Sequence, residues 1–204
     1  MRVVIVGQQW FGAEVLRLCL RRGDDVARVL APPADGEEYD RLYAAAQQAG
    51  IPAEITRRRV EANQIPPGVD VIVAAHAHAF ITEAARLATH YGALGYHPSL
   101  LPRHRGRDAV RWTIHMGDPV AGGTVYWMDN GADTGPVAAQ DWCHVRPDDD
   151  AKTLWRRDLA PMGIRLLGRV LDDLEQGIVT AVDQDASSAT WEPAFTSCKL
   201  LDGP

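Results

Sequence analysis

Short β-branched runs, each followed by a stretch with helical periodicity, constrain this chain more than any other feature. VVIVG (3–7) offers no polar position to face water, so it reads as a strand covered on both faces. It feeds WFGAEVLRLCLRRG (10–23), where Phe11, Val15, Leu18 and Cys19 recur at helical spacing. VARVLA (26–31) then reads as a strand, EEYDRLYAAAQQAG (37–50) as a helix stopped at Gly50, and IPAEI as a further short strand. DVIVAA (70–75), ITEAARLATH (81–90) and ALGYH (93–97) repeat the strand, helix, strand order. Such alternation requires crossovers, and the expected fold is α/β: a Rossmann-like, mostly parallel sheet flanked by helices in a single domain. Beyond it, RDAVRWTIHMG (107–117) reads as a helix, and GGTVYWMD (122–129) and PVAAQDWCHV (136–145) as strands joined by a glycine-rich loop. A long helix over 149–177 closes the pattern, with a kink expected at Pro161, which has no amide hydrogen and crowds the preceding turn. The expected organisation is one domain over 1–178 and a polar tail over 179–204, carrying Trp191 and Phe195, that packs on the domain or trails from it.

Composition narrows the classes of function. A chain of 204 residues supplies one large core and falls short of two ordinary domains. A net charge of −6 argues against a broad nucleic-acid surface, which needs a basic footprint. The arginines at 57–59 read as a solvated face; those at 103–107 read equally as that or as an anion contact. Cys19, Cys143 and Cys198 are too few and too scattered for a disulfide framework, which fits a reduced compartment. MRVVIVG is too short for a signal peptide and no apolar run approaches about 18 residues, so the expected location is cytoplasmic, with no membrane partner. VGQQWFG invites a dinucleotide reading and fails it. Gln8 and Gln9 fill the turn that G-x-G-x-x-G keeps open for a pyrophosphate, and Asp24 and Asp25 precede the second strand instead of following it.

In open parallel sheets, ligands bind beyond the carboxyl ends of the strands. Four loops are placed to do so: 7–12, 74–80, 95–106 and 128–135. The third sets His97 at a strand end, with Pro98 holding it extended because a residue before proline avoids the helical region. The fourth sets Asp133 between Gly131 and Gly135, which would let a carboxylate turn inward. Each has a plain structural alternative, a hydrogen-bonded histidine at a strand end and an aspartate in a turn. His76 and His78 alternate as metal ligands could, but no third ligand accompanies them, and no metal is expected. Trp112 and Trp127 read as core.

Together these residues form a recognisable set. His-Pro-Ser-Leu-Leu-Pro-x-x-x-Gly (97–106), followed by Gly-x-Asp-Thr-Gly (131–135), resembles the formyltransferase family that uses 10-formyltetrahydrofolate. GQQWFGAEV, YHPSLLPRHRG, RWTIHMGD, GGTVYWMDNGADTG and RPDDDAKTLWRRDLAPMGI extend the likeness over nearly the whole chain. They are most similar to the N-terminal hydrolase domain of 10-formyltetrahydrofolate dehydrogenases. The resemblance implies the formyltransferase fold, 10-formyltetrahydrofolate as formyl donor, and His97 and Asp133 as the catalytic pair. It implies a donor site built from Ala75, His76, Ala77, His78 and Phe80 in one loop, Leu100, and Met128, Asp129, Gly131 and Thr134 in another. The acceptor would be a small amine, a nucleotide amino sugar or a carrier-bound amine. The transferases carry Asn-x-His where this chain has Gly95-x-His97, as does the dehydrogenase's hydrolase domain, which leaves water as an alternative acceptor and a catalytically weak folate-binding module as a third reading.

Overall fold

A computed structural model describes residues 1–34 and 39–195. The chain clusters into two compact units, one of residues 1–96 with 167–179, the other of residues 97–166 with 180 onward.

In the first unit, β1 (Arg2–Gly7) leads into α1 (Gln9–Arg22), β2 (Asp25–Ala31), α2 (Arg41–Gln48), β3 (Ala53–Ile55), β4 (Arg59–Val60), β5 (Val71–Ala75), β6 (Phe80–Ile81), α3 (Glu83–Leu87) and β7 (Ala93–His97). The strands pair in parallel in the order β7-β5-β1-β2-β3, the mostly parallel, helix-flanked architecture that the alternation required. Val3, Val4 and Ile5 are fully buried, as are Val71, Ile72 and Val73 of the adjacent strand, which is why both runs lack polar positions. At Gly7 the turn out of β1 passes so near β5 that a Cβ would lie 2.1 Å from the Ala75 carbonyl oxygen; glycine serves strand packing here, not a pyrophosphate. The amide that opens α1, Gln9 N–H, donates to both Asp40 oxygens at 3.1 and 2.9 Å. The Asp40 carboxylate also accepts from the Leu42 amide at 2.8 Å and so caps α2; Glu37 and Glu38, at that helix's expected start, lie outside the described residues. The expected helix over 81–90 is shorter: Phe80 and Ile81 pair with β4, and Thr82 caps α3 by accepting from Ala85 N–H at 3.2 Å.

In the second unit follow β8 (Arg105–Gly106), α4 (Ala109–His115), β9 (Val120–Trp127), β10 (Val137–His144), α5 (Ala151–Leu154), the start of α6 (Ala160–Glu175), whose residues from 167 on belong to the first unit, and β11 (Trp191–Glu192). β9 and β10, the two strands expected on either side of the glycine-rich loop, pair antiparallel. The irregularity expected at Pro161 is a π-helical turn over Trp155–Leu159, where the Ala160 amide reaches back five residues to the Trp155 carbonyl. Pro161 has no amide hydrogen to close the ordinary bond to residue 157, so the ladder widens just before it. Of the expected tail, residues 180–195 pack within this unit: β11 pairs with β8, and Val182 exchanges both backbone bonds with Val137 at 2.8 and 2.9 Å. Residues 196–204 lie outside the described residues.

Candidate active site

Strand geometry places Gly95 and His97 two residues apart on one face of β7, both buried, while Tyr96 on the other face stacks on Phe11 with ring centroids 5.5 Å apart. The His97 imidazole has two neighbours. Its Nε2 lies 2.7 Å from the His104 carbonyl oxygen, and its Nδ1 lies 3.6 Å from Asp133 Oδ2. A carbonyl oxygen only accepts, so Nε2 carries the hydrogen and Nδ1 is left to exchange protons. At 3.6 Å the Asp133 carboxylate faces Nδ1 beyond the reach of a direct hydrogen bond.

Asp133 is held in the orientation this requires. Its backbone is in the left-handed region, at φ 56°, which short polar side chains tolerate better than most. Oδ1 accepts from the Tyr126 hydroxyl at 2.6 Å, and Oδ2 accepts from the Gly106 amide at 2.8 Å. Burial first, and then the Asp133 charge beside it, push the Tyr126 phenol well above its ordinary range, so it remains a donor. Gly106 sits at φ 95°, and a Cβ there would lie 2.9 Å from the Glu192 carbonyl oxygen; glycine lets the amide present itself to Asp133. The amide of Gln184 donates to the Asp133 and Gly135 carbonyls at 3.0 and 2.7 Å, while its oxygen accepts from Arg105.

The loop from Pro98 to Gly106 is fixed by hydrogen bonds at nearly every step. Ser99 Oγ donates to the Arg103 carbonyl at 2.6 Å, the Leu101 amide donates to Thr124 Oγ1 at 3.1 Å, and Gln140 donates to the Leu101 carbonyl at 2.9 Å. Asp118 accepts from Arg103 at 2.7 and 2.9 Å. Burial would raise the Asp118 carboxyl, but the bonds from Arg103 and His104 outweigh it and hold the carboxyl below its ordinary value. His104, 2% exposed and at φ 57°, lies with Nε2 2.8 Å from Asp118 Oδ2 and Nδ1 3.0 Å from Glu192 Oε1. Its backbone amide donates to Thr190 Oγ1 at 2.8 Å.

The residues that the resemblance assigned to the donor occupy loops of both units. In the first unit, Ala75 ends β5, and its carbonyl accepts from the Gln8 amide at 3.2 Å. His76 stands at φ 58°, its ring edge-on to that of His78 at 5.2 Å, and His78 Nδ1 meets the Gln8 amide group at 3.2 Å. Desolvation and the His78 ring lower the pKa of His76, against a smaller upward pull from Asp40. Ala77 and His78 border a small cavity with Gly7, Thr56 and Arg57, and Phe80 is exposed beneath the Arg59 guanidinium, 5.5 Å from its ring centre. In the second unit, Leu100 borders a cavity of about 240 Å³ with Arg103, Thr113, Asp118 and Gly122. Met128 is half-buried, and Asp129 is spent on its own loop, accepting from the Gly131 amide at 2.9 Å and from Thr134 Oγ1 at 2.7 Å. Of the three loop arginines, Arg103 and Arg105 are engaged by Asp118 and Gln184, while Arg107 is exposed. Trp112 is buried and donates to the Pro193 carbonyl at 2.9 Å; Trp127, less buried, donates to the Thr180 carbonyl at 2.8 Å. Among the described residues no three His, Cys, Asp or Glu side chains are grouped to hold a metal, and no helix is long and apolar enough to cross a membrane.

Tyr126, Gln184, His104 and Glu192 are the site's contributors that sequence reasoning missed. The first two act on Asp133 and the others on the loop after His97, each from a segment whose own pattern gives no signal for it.

Comparison with known proteins gives the chain's family. The model of the formyl transferase family matches residues 1–170. The chain is 35% identical over 202 residues to a cytosolic 10-formyltetrahydrofolate dehydrogenase of Xenopus laevis, covering 95% of this chain and 22% of that protein. It is 33% identical to a methionyl-tRNA formyltransferase of Acidobacterium capsulatum, covering 96% of this chain and 66% of the other. The chain thus spans about a fifth of the dehydrogenases it matches. Among solved structures, a glycinamide ribonucleotide transformylase from Symbiobacterium toebii superposes with a TM-score of 0.73 at 24% identity, covering 90% of this chain and 94% of that one. The sugar 3N-formyl transferase WlaRD, whose structure was determined with dTDP and 5-N-formyl-THF, superposes with a TM-score of 0.78 at 16% identity, covering 100% of this chain and 73% of that one. With a family model matched over residues 1–170 of its 204, the chain belongs to the formyl transferase family.

Proposed function

We propose that this chain moves the formyl group of 10-formyltetrahydrofolate to an amine and releases tetrahydrofolate, through a catalytic domain over 1–178 acting in the cytoplasm. The carrying observation is the His97–Asp133 arrangement, in which Nε2 is committed to a carbonyl and Nδ1 faces a carboxylate at 3.6 Å. Formyl transfer needs these two roles. As the amine attacks the formyl carbon it must lose a proton, and His97 Nδ1 accepts it. The imidazolium so formed is stabilised by Asp133, then returns the proton to the departing N10 of the folate. The Met128–Thr134 loop of the second unit holds the pterin, with Leu100 lining its slot. The likeness to WlaRD, whose structure contains a formylated folate, supports that donor. The acceptor is a small amine, a nucleotide amino sugar or a carrier-bound amine; relatives named for glycinamide ribonucleotide, sugar and tRNA acceptors support the breadth of that class.

Hydrolysis to formate is the second reading, favoured by one specific observation. Gly95 brings no side chain to the face of β7 that carries His97, so no side-chain donor at that position meets the developing oxyanion, and removing one such donor costs about a hundredfold to a thousandfold in rate. An acceptor with its own hydrogen-bond donor offsets this, and so does water. Tetrahydrofolate release by the purified protein, alone and with a panel of amines, amino-sugar nucleotides and carrier-bound amines, separates the readings. The proposal expects slow release that one amine accelerates about a hundredfold, within the range of acid–base catalysis. Fast release with stoichiometric formate, unaffected by any amine, would make the protein a hydrolase. No release under any condition would leave the folate-binding module.

A further inference from the structure

His104 has no role in the reaction just described, yet it is held at every polar atom of its ring. It is buried, it occupies a left-handed conformation that its side chain does not favour, and both of its ring nitrogens are engaged by carboxylates brought from separate segments. Asp118 is tied in turn to Arg103, and Glu192 is itself 6% exposed. Burying charge in this way is costly unless the groups are paired, and here the pairing fixes the loop's backbone against the segments that carry Asp118 and Glu192. What that backbone presents is the His104 carbonyl, whose oxygen lies 2.7 Å from His97 Nε2.

We propose that the Glu192–His104–Asp118 relay is a positioning device for His97. By clamping the His104 ring from both sides it holds the carbonyl in place, and the carbonyl selects the His97 tautomer protonated at Nε2. The unprotonated Nδ1 is thereby turned toward Asp133. In this role Glu192, His104 and Asp118 act through His97 and carry no proton of the transfer themselves. The inference rests on the reading of His97 as the proton carrier of formyl transfer, and its structural half can be measured without turnover.

The experiment is ¹⁵N NMR of the histidine rings in the full chain, with the His97 signals identified by their loss in His97→Asn, together with steady-state kinetics. Wild type is expected to show His97 protonated at Nε2. Glu192→Ala is expected to give a mixture of His97 tautomers and a kcat about tenfold lower, with KM for 10-formyltetrahydrofolate within about twofold. Glu192→Gln retains an oxygen that accepts from His104 Nδ1 and should restore both the tautomer and most of the lost kcat. If Glu192→Ala does not fold, His104→Asn takes its place: asparagine tolerates the left-handed backbone but cannot bridge the two carboxylates, and the same mixed tautomers are expected. Wild-type His97 protonated at Nδ1 overturns the proposal outright, as does an unchanged tautomer and kcat in Glu192→Ala or in its replacement. The expected tautomers in a protein that transfers no formyl group would leave the clamp standing and remove the formyl-transfer reading instead.

Discussion

In the proposed transfer His97 and Asp133 divide one task, so their loss should not add. His97→Ala and Asp133→Ala are each expected to lower kcat about a hundredfold or more, and the double variant to fall little further, read from tetrahydrofolate release under saturating donor. Tyr126→Phe tests the support beneath them. It removes the hydroxyl that donates to Asp133 Oδ1 while keeping the ring, and a lost bond to a charged acceptor worth about 1.5 kcal/mol corresponds to roughly a tenfold loss in kcat. An undiminished Tyr126→Phe enzyme would mean that the Gly106 amide alone orients the carboxylate. His97 was legible because an apolar run stops on it before a proline, and Asp133 because glycines flank it. Tyr126 was not, since a hydroxyl inside GGTVYWMD looks like any strand residue until the chain folds back on itself. Gln184 lies 51 residues from the carbonyl it holds, a distance no local pattern spans.

At the scale of elements, the start of α5 carries the sharpest local prediction. Asp150 accepts from the Thr153 amide at 2.7 Å and Thr153 accepts from the Asp150 amide at 2.8 Å, a reciprocal cap. Asp150→Ala should cost about 1 kcal/mol, a fall in Tm of about 2–4 °C, with tetrahydrofolate release unchanged. Next to it, bonds from Arg157, opposed by desolvation, hold the Asp149 carboxyl down at about 2 against an ordinary 3.8. A depressed carboxyl stabilises the fold above its unfolded value and loses that contribution as pH falls through the folded one. Thermal melts should therefore decline between about pH 4 and pH 2, and Asp149→Asn should flatten that part of the profile. The long elements were visible in periodicity because each repeats its pattern over several turns or alternations. The two-residue strands β4, β6, β8 and β11 repeat nothing, and their pairing is fixed by neighbours distant in sequence. At α3 a signal was present and outweighed: Thr82 is a capping residue in front of a short helix, but the apolar residues around it favoured a longer one.

On the scale of the whole molecule, the sequence conveyed the alternating parallel architecture and left the destination of residues 180–195 open. That segment reads as polar and aperiodic because it forms almost no structure of its own; it supplies Gln184, Thr190 and Glu192 to loops already laid down. Ending the chain after Val179 is expected to abolish tetrahydrofolate release and lower the melting temperature, measured by calorimetry. A shortened protein of full activity would show that the loops hold themselves. The bonds from His104 to Thr190 and Glu192 close spans of 86 and 88 residues, and such closures come late because their entropy is paid before their contacts repay it. During refolding from denaturant, far-ultraviolet ellipticity should therefore return ahead of catalytic competence. On the ribosome, the strands and helices of residues 1–96 can begin to assemble before the residues that complete the active centre's loops emerge, so the nascent chain is folded in part while still chemically silent.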